Sequence, residues 1–195
     1  AEQGMECWGT TVQGHTGHPA STYEFLESIA PSFGLYNWGV NMDSYQSCVE
    51  NGGQLNGGRA KAALNFWTQL LPFAPPEALQ STWSEVGSSF AAGRAAQGWV
   101  YGENAAWIAT NAEMSAVVGN VGVMLPPTAP GVMTQAASGN GYIGYFDGGA
   151  YGIPHSSKNI EATMLWLQFV AMNDHQADWA IAGGRITHKD TYADP

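Results

Sequence analysis

Two acidic side chains, Glu103 and Asp147, and the aromatic residues Trp38, Trp99 and Tyr101 are the groups of this chain best suited to chemistry. A pair of carboxylates can hydrolyse a glycosidic bond, one protonating the leaving oxygen while the other serves as nucleophile or base. The same groups can instead hold a sugar intact. Sugar C–H faces stack on flat rings, and hydroxyls need paired donors and acceptors once water is excluded. Trp99, Tyr101 and Glu103 alternate, so on a strand end all three point one way, whereas as a plain core residue Trp99 faces inward. Asp147-Gly148-Gly149 is either a hairpin turn or a ligand contact. In the second reading the carboxylate accepts from two hydroxyls and the glycines let the backbone come close. Trp38, within Tyr36-Asn37-Trp38-Gly39, is a further flat platform. Arg185, just after Gly183-Gly184, either reaches a ligand or anchors its turn.

Other chemistries lack their residues. Gly139-Asn140-Gly141-Tyr142-Ile143-Gly144 fits the GxGxxG spacing, but a phosphate cradle needs a strand before it and a helix after it. Ala136-Ala137-Ser138 is a poor strand, and the aromatic, Gly-rich run that follows cannot open a helix. No GxSxG, HExxH or P-loop pattern occurs. Of the five histidines only His15 and His18 lie close in sequence, with no further metal ligands beside them, and they read as loop residues. No cofactor is implied. Cys7 and Cys48 have neither CxxC nor Cys/His zinc spacing and are either two thiols or one disulfide.

Composition narrows the partners. Of 195 residues, 45% are hydrophobic, enough for a real core, while only 11% are charged, against roughly 25% in an average domain. Uncharged, aromatic, turn-rich surfaces suit neutral polar ligands. A net charge of −10, six basic against sixteen acidic residues, repels phosphates and so opposes nucleic acid and anionic lipid. No apolar run is long enough to span a membrane, and the first residues carry no leader pattern of basic then apolar residues.

The elements that must position these residues alternate between strand and helix, which makes the class α/β. Trp8 to Gln13 is β-prone. Ser21 with Glu24 has capping-box spacing and opens a helix through Ala30 that Pro31 ends. Gly34 to Gly58 is a long Gly- and Asn-rich loop, followed by a helix from Arg59 to Leu71 with Ala60, Ala63, Leu64, Trp67 and Leu71 at helical spacing. Thr82 and Glu85 form a second capping box, opening a helix with Trp83, Val86 and Phe90 on one face and Gly93 as its C′ residue. Strands are expected at 95–101, 121–125, 142–146 and 150–153, and helices at 103–116, 159–173 and 174–182. Trp166, Leu167, Phe169, Val170 and Trp179 read as packing residues.

The order of features from Gly148 to the end resembles the C-terminal lobe of the family 1 extracellular solute-binding proteins of bacterial ABC importers. The matching residues are Gly148, Gly149, Ile153, Pro154, Ser157, Lys158, Asn159, Trp166, Gln176, Ala177, Trp179, Ala180, Gly183 and Gly184. Upstream, Phe90-Ala-Ala-Gly93-Arg-Ala-Ala96 is similar to the family's Phe-x-x-Gly-Lys-Ala-Ala element. Val121-Gly-Val-Met-Leu-Pro126 is similar to its Val-Gly-Val strand. Gln13, a candidate ligand contact, occupies a position that reads Thr-x-Arg-Gly in polyol-binding and related members.

The resemblance implies one lobe of a bilobed, class II periplasmic-binding-protein-like fold, a mixed sheet flanked by helices. Residues 1–195 are expected to form a single C-terminal ligand-binding lobe, with no candidate for an N-terminal lobe before Trp8. It also implies capture of a mono- or oligosaccharide or polyol outside the cell or in the periplasm, delivery to an ABC permease, and no bond made or broken. Trp38, Trp99 and Tyr101 would then stack on the sugar, Glu103 and Asp147 would take its hydroxyl protons, and Gly148 and Gly149 would present backbone groups. The alternative is a carbohydrate-active enzyme using Glu103 and Asp147 as its carboxylate pair.

Overall fold

The structure, a computed structural model, describes residues 7–139, 141 and 150–193. Eight α-helices lie in this part of the chain: α1 (Pro19–Tyr23), α2 (Ala30–Ser32), α3 (Gly58–Gln69), α4 (Trp83–Ala91), α5 (Gly102–Thr110), α6 (Val132–Ala137), α7 (Ile160–Ala171) and α8 (Asn173–Ile181). The expected mixed sheet does not form among the described residues, where pairing is limited to one isolated parallel bridge between Trp8 and Ala95. The segment 8–14 is extended, as its residues predict, and threads between two others. On one side Trp8 N–H reaches Arg94 O at 2.7 Å and Thr11 N–H reaches Gln97 O at 3.1 Å; on the other Thr10 N–H reaches Phe73 O at 3.1 Å and Gly14 N–H reaches Ala78 O at 2.9 Å. A ladder fails because the second neighbour is wound into 3₁₀ turns at Leu71–Phe73 and Pro76–Gln80, which space its carbonyls irregularly.

The expected strand at 95–101 is likewise confined to Ala95, and the backbone turns helical at Gly102. Residues 121–125 are largely exposed, Val123 at 92%, and end at Pro126-Pro127, which have no N–H to give a ladder. Residues 150–153 form no strand either, and the expected strand at 142–146 lies outside the described residues.

The helices follow the sequence more closely. The Thr82–Glu85 capping box forms, and Gly93 takes the left-handed conformation (φ 71°) that ends the helix. Ser21 and Glu24 do not cap. Their helix starts earlier, at Pro19, with His18 as N-cap accepting from Ala20 N–H. Nor does Pro31 end it: the chain passes through a π-helical stretch, Glu24–Ile29, into α2, with Ala30 N–H bonded to Phe25 O five residues back. The wider turn relieves the clash a proline ring makes with the carbonyl four residues before it.

The core is small and lies on this side of the molecule. Val12, Ala74 and Ala78 pack with Trp67, Leu70 and Leu71, and Ala30, Leu35 and Ala60 form a second cluster. Glu24 is also buried, its carboxyl accepting from Gln13 N–H at 3.0 Å and Trp67 Nε1–H at 2.8 Å. Leu64, expected inward, is exposed. So is much of α7, which carries apolar residues on every side and buries none of them fully, so Trp166 and Phe169 are half-exposed rather than core. Trp179 is also 41% exposed, its ring lying over Gly184. Cys7 and Cys48 are exposed free thiols, which removes the disulfide alternative.

Candidate functional site

Four chain termini of local elements meet at one open cleft of about 280 Å³. Tyr23 ends α1, Trp83 and Ser84 open α4, and Tyr101, Glu103 and Asn104 open α5; Arg185 closes the cleft from the turn after α8. The Thr82–Glu85 box sets the first of these geometries. It fixes where α4 starts, and a side chain on the first helical residue leans back past the N-terminus, so Trp83 points off the helix end instead of along the Val86 face. Tyr101 is the N-cap of α5, its carbonyl accepting from Asn104 and Ala105 N–H at 2.9 and 3.1 Å. The rings of Trp83 and Tyr101 meet edge to face, 6.3 Å apart at 89°.

Arg185 is delivered by the Gly183-Gly184 turn. Gly183 sits at φ 88° and a Cβ there would come within 2.7 Å of Ala106 Cβ on α5, while a Cβ on Gly184 would overlap the Trp179 ring. Both positions therefore exclude other residues. Downstream, Gln176 on α8 accepts from Thr187 N–H at 3.0 Å and donates to Val170 O at 2.8 Å, which ties the outgoing strand of chain to the α7–α8 corner. The guanidinium then lies across the start of α5, with Nε 3.2 Å from Glu103 Oε2. Both side chains are more than half exposed, so the pair adds at most about 1 kcal/mol to stability, and its charges stay accessible to a ligand. Asn104 is oriented by Trp107, whose Nε1–H donates to Asn104 Oδ1 at 3.1 Å.

The structure brings together three of the residues singled out from sequence: Tyr101, Glu103 and Arg185. Trp38 is nearby. It is 43% exposed, its ring centre lies 6.2 Å from that of Tyr23, and its backbone is held at φ 55°, ψ 25°, a conformation that costs a bulky residue of order 1–3 kcal/mol. Trp99 is half-buried and does not line the cleft. The alternation that put it beside Tyr101 and Glu103 ends where α5 begins, at Gly102. Gln13 is 2% exposed and faces Glu24 in the interior. Asp147, Gly148 and Gly149 lie outside the described residues, as does most of the GxGxxG stretch.

Tyr23, Trp83, Ser84 and Asn104 line the cleft without having been selected from sequence. The signal that could have found Trp83 is its place directly after a capping Thr. Burial raises the Glu24 carboxyl pKa to about 7 against its hydrogen bonds from Trp67 and Gln13. Glu24 is 1% exposed and does not line the cleft. Among the described residues no three His, Cys, Asp or Glu side chains converge to hold a metal ion. Nor is any helix there long and apolar enough to cross a membrane.

Comparison with solved structures finds ten similar chains, among them the following three. The first is a maltose-bound MalE3 of T. maritima, 23% identical with a TM-score of 0.74 over 97% of this chain and 44% of that one. A solute-binding protein of an ABC transporter from Agrobacterium radiobacter K84, in complex with ribitol, is 20% identical with a TM-score of 0.63 over 96% of this chain and 45% of that one. A third, from Agrobacterium vitis S4 with bound D-mannitol, is 22% identical with a TM-score of 0.64 over 97% and 42%. The chain thus shares their fold and spans less than half of their length. Comparison with curated protein sequences finds no match. The family model described as bacterial extracellular solute-binding protein matches residues 9–177, most of the chain, and to that family this protein belongs.

Proposed function

We propose that this protein captures a neutral polyhydroxylated ligand, a mono- or oligosaccharide or a sugar alcohol, and hands it to an ABC permease without chemical change. The observation that carries the reading is the meeting of Tyr23, Trp83 and Tyr101 with Glu103, Asn104 and Arg185 in one open cleft. Aromatic rings accept the C–H faces of a sugar, while the carboxylate accepts hydroxyl protons and the guanidinium and amide donate to hydroxyl oxygens. The chain's charge of −10 disfavours an anionic ligand. Maltose, ribitol and mannitol in the similar structures are neutral and hydroxyl-rich, which supports the class. Trp38, with Asp147, Gly148 and Gly149, is proposed as a further contact, and Trp99 and Gln13 as supports behind the cleft.

In this reading residues 1–195 act as one lobe, the C-terminal one, of an exported two-lobed receptor that closes around its ligand. One lobe covers one face of a ligand that such clefts ordinarily bury by 70 to 90% or so. Giving up roughly 4 kcal/mol of contacts weakens a micromolar dissociation constant to about millimolar. An enzyme reading would need Asp147 beside Glu103, and Asp147 lies outside the described residues; among those described, Glu103 pairs with Arg185. The test is to incubate the chain with maltose, mannitol and ribitol, measuring binding by NMR titration and turnover by product analysis. Weak saturable binding with intact ligand is expected. Sugar hydrolysis that disappears in Glu103→Gln would establish the enzyme instead.

A further inference from the structure

We infer that His18, outside the cleft, is the positioning residue that locks two of its aromatic walls together; its effect on ligand affinity rests on the function proposed above. The ring makes two contacts with different atoms. Nδ1 accepts from Ala20 N–H at 3.1 Å and so caps α1, the five-residue helix that ends in Tyr23. The ring as a whole stands against Trp83, centres 4.6 Å apart at 66°, and Trp83 in turn meets Tyr101 edge to face. Tyr23, Trp83 and Tyr101 all line the cleft, and His18 touches the helix of the first and the ring of the second.

The first turn of a helix has no preceding turn to hold it, so the cap fixes where this helical run begins and with it how Tyr23 is presented one turn later. Ala20 is fully buried, and its N–H without an acceptor would carry a desolvation cost. Trp83 stands at the very start of α4, where no preceding helical turn restrains it, so its rotamer is set by the rings beside it. Asn, Asp or Ser would cap α1 but are too short to reach Trp83. Phe would reach Trp83 but cannot accept from Ala20. Histidine combines a flat ring with an acceptor nitrogen and does both. His15 continues the ring contacts on the far side, 5.7 Å from His18, with its own Nδ1 2.8 Å from Thr16 O.

Two substitutions separate the roles. His18→Asn keeps the cap and removes the ring; His18→Phe keeps the ring and removes the cap. The full chain, labelled with 5-fluorotryptophan and with the Trp83 resonance assigned by Trp83→Phe, reports the position of that ring by ¹⁹F NMR with no sugar present. His18→Asn should move or broaden the Trp83 signal while leaving the melting temperature near wild type. It should weaken maltose binding by roughly two- to tenfold, the range for losing one aromatic edge contact. His18→Phe should lower the melting temperature yet hold the Trp83 signal near its wild-type position. An unmoved Trp83 signal in His18→Asn, or equal displacement in both variants, overturns the inference. If wild type binds no maltose, mannitol or ribitol, the proposed function falls, and the ¹⁹F spectra alone still decide whether His18 positions Trp83.

Discussion

Glu24 gives this protein a stability that falls as the solution becomes more basic. Its carboxyl is almost wholly buried, and burial raises its pKa from 4.5 to about 7 despite hydrogen bonds from Trp67 and Gln13. The folded protein therefore holds a proton on Glu24 that the unfolded chain has released, throughout the interval between those two values. The contribution is fully present below about pH 4.5 and is lost as pH rises through about 7. At 1.36 kcal/mol per unit the loss is about 3 kcal/mol, a sizeable share of the roughly 5–15 kcal/mol typical of a domain. Urea denaturation of wild type and Glu24→Gln from pH 4.5 to 8.5 measures it. The amide cannot ionise, so the difference in pH dependence between the two proteins isolates Glu24. The ¹³C shift of the Glu24 carboxyl should titrate near 7 in the folded state. Matching stability profiles in the two proteins, or a carboxyl that titrates near 4.5, would refute the reasoning.

Tyr101→Ala should weaken sugar binding about tenfold, and Trp99→Ala much less, because the first ring lines the cleft and the second does not; calorimetric or NMR titrations of both variants compare them. Thr82→Ala should cost about 1 kcal/mol by removing the N-cap of α4. The Thr82 hydroxyl also donates to the Glu85 carboxylate and holds its pKa below 4.5, so that part of the cost is present above that pH and fades as pH falls, and the gap to wild type should be larger at pH 7 than in acid. Gly183→Ala should cost about 1–2 kcal/mol through its left-handed backbone, and more through its contact with Ala106, and should release Arg185. Its sugar affinity should drop together with its melting temperature, whereas Arg185→Ala should lose affinity with little change in melting.

Local rules carried far along this chain. Helices α3, α4, α7 and α8 stand within a few residues of where apolar spacing and caps put them, because those signals are complete within one or two turns. The strands did not, since a strand needs a partner that its own residues cannot specify. Trp8 to Gln13 is extended but runs beside 3₁₀ turns, and the partner expected for 150–153 lies outside the described residues. At Ser21 and Glu24 the spacing of a capping box was right and its use was not, as the carboxylate is drawn into the interior by Trp67 and Gln13. The site was half legible. Tyr101, Glu103 and Arg185 could be picked by type, but Tyr23 and Trp83 owe their roles to where α1 ends and α4 begins relative to each other, a distance no sequence spacing contains.

On the proposed function, the cleft between Tyr23, Trp83, Tyr101 and Arg185 takes a neutral hydroxylated ligand. Titrating the ¹⁵N-labelled chain with maltose, mannitol and ribitol while following assigned amide and indole signals tests it most directly. Saturable shifts are expected with at least one of them, concentrated at Tyr23, Trp83, Tyr101, Glu103, Asn104 and Arg185, with a dissociation constant of about millimolar for a single face. Saturable shifts confined to residues away from this cleft, or none with any of the three ligands at about a hundredfold higher concentration, would contradict it.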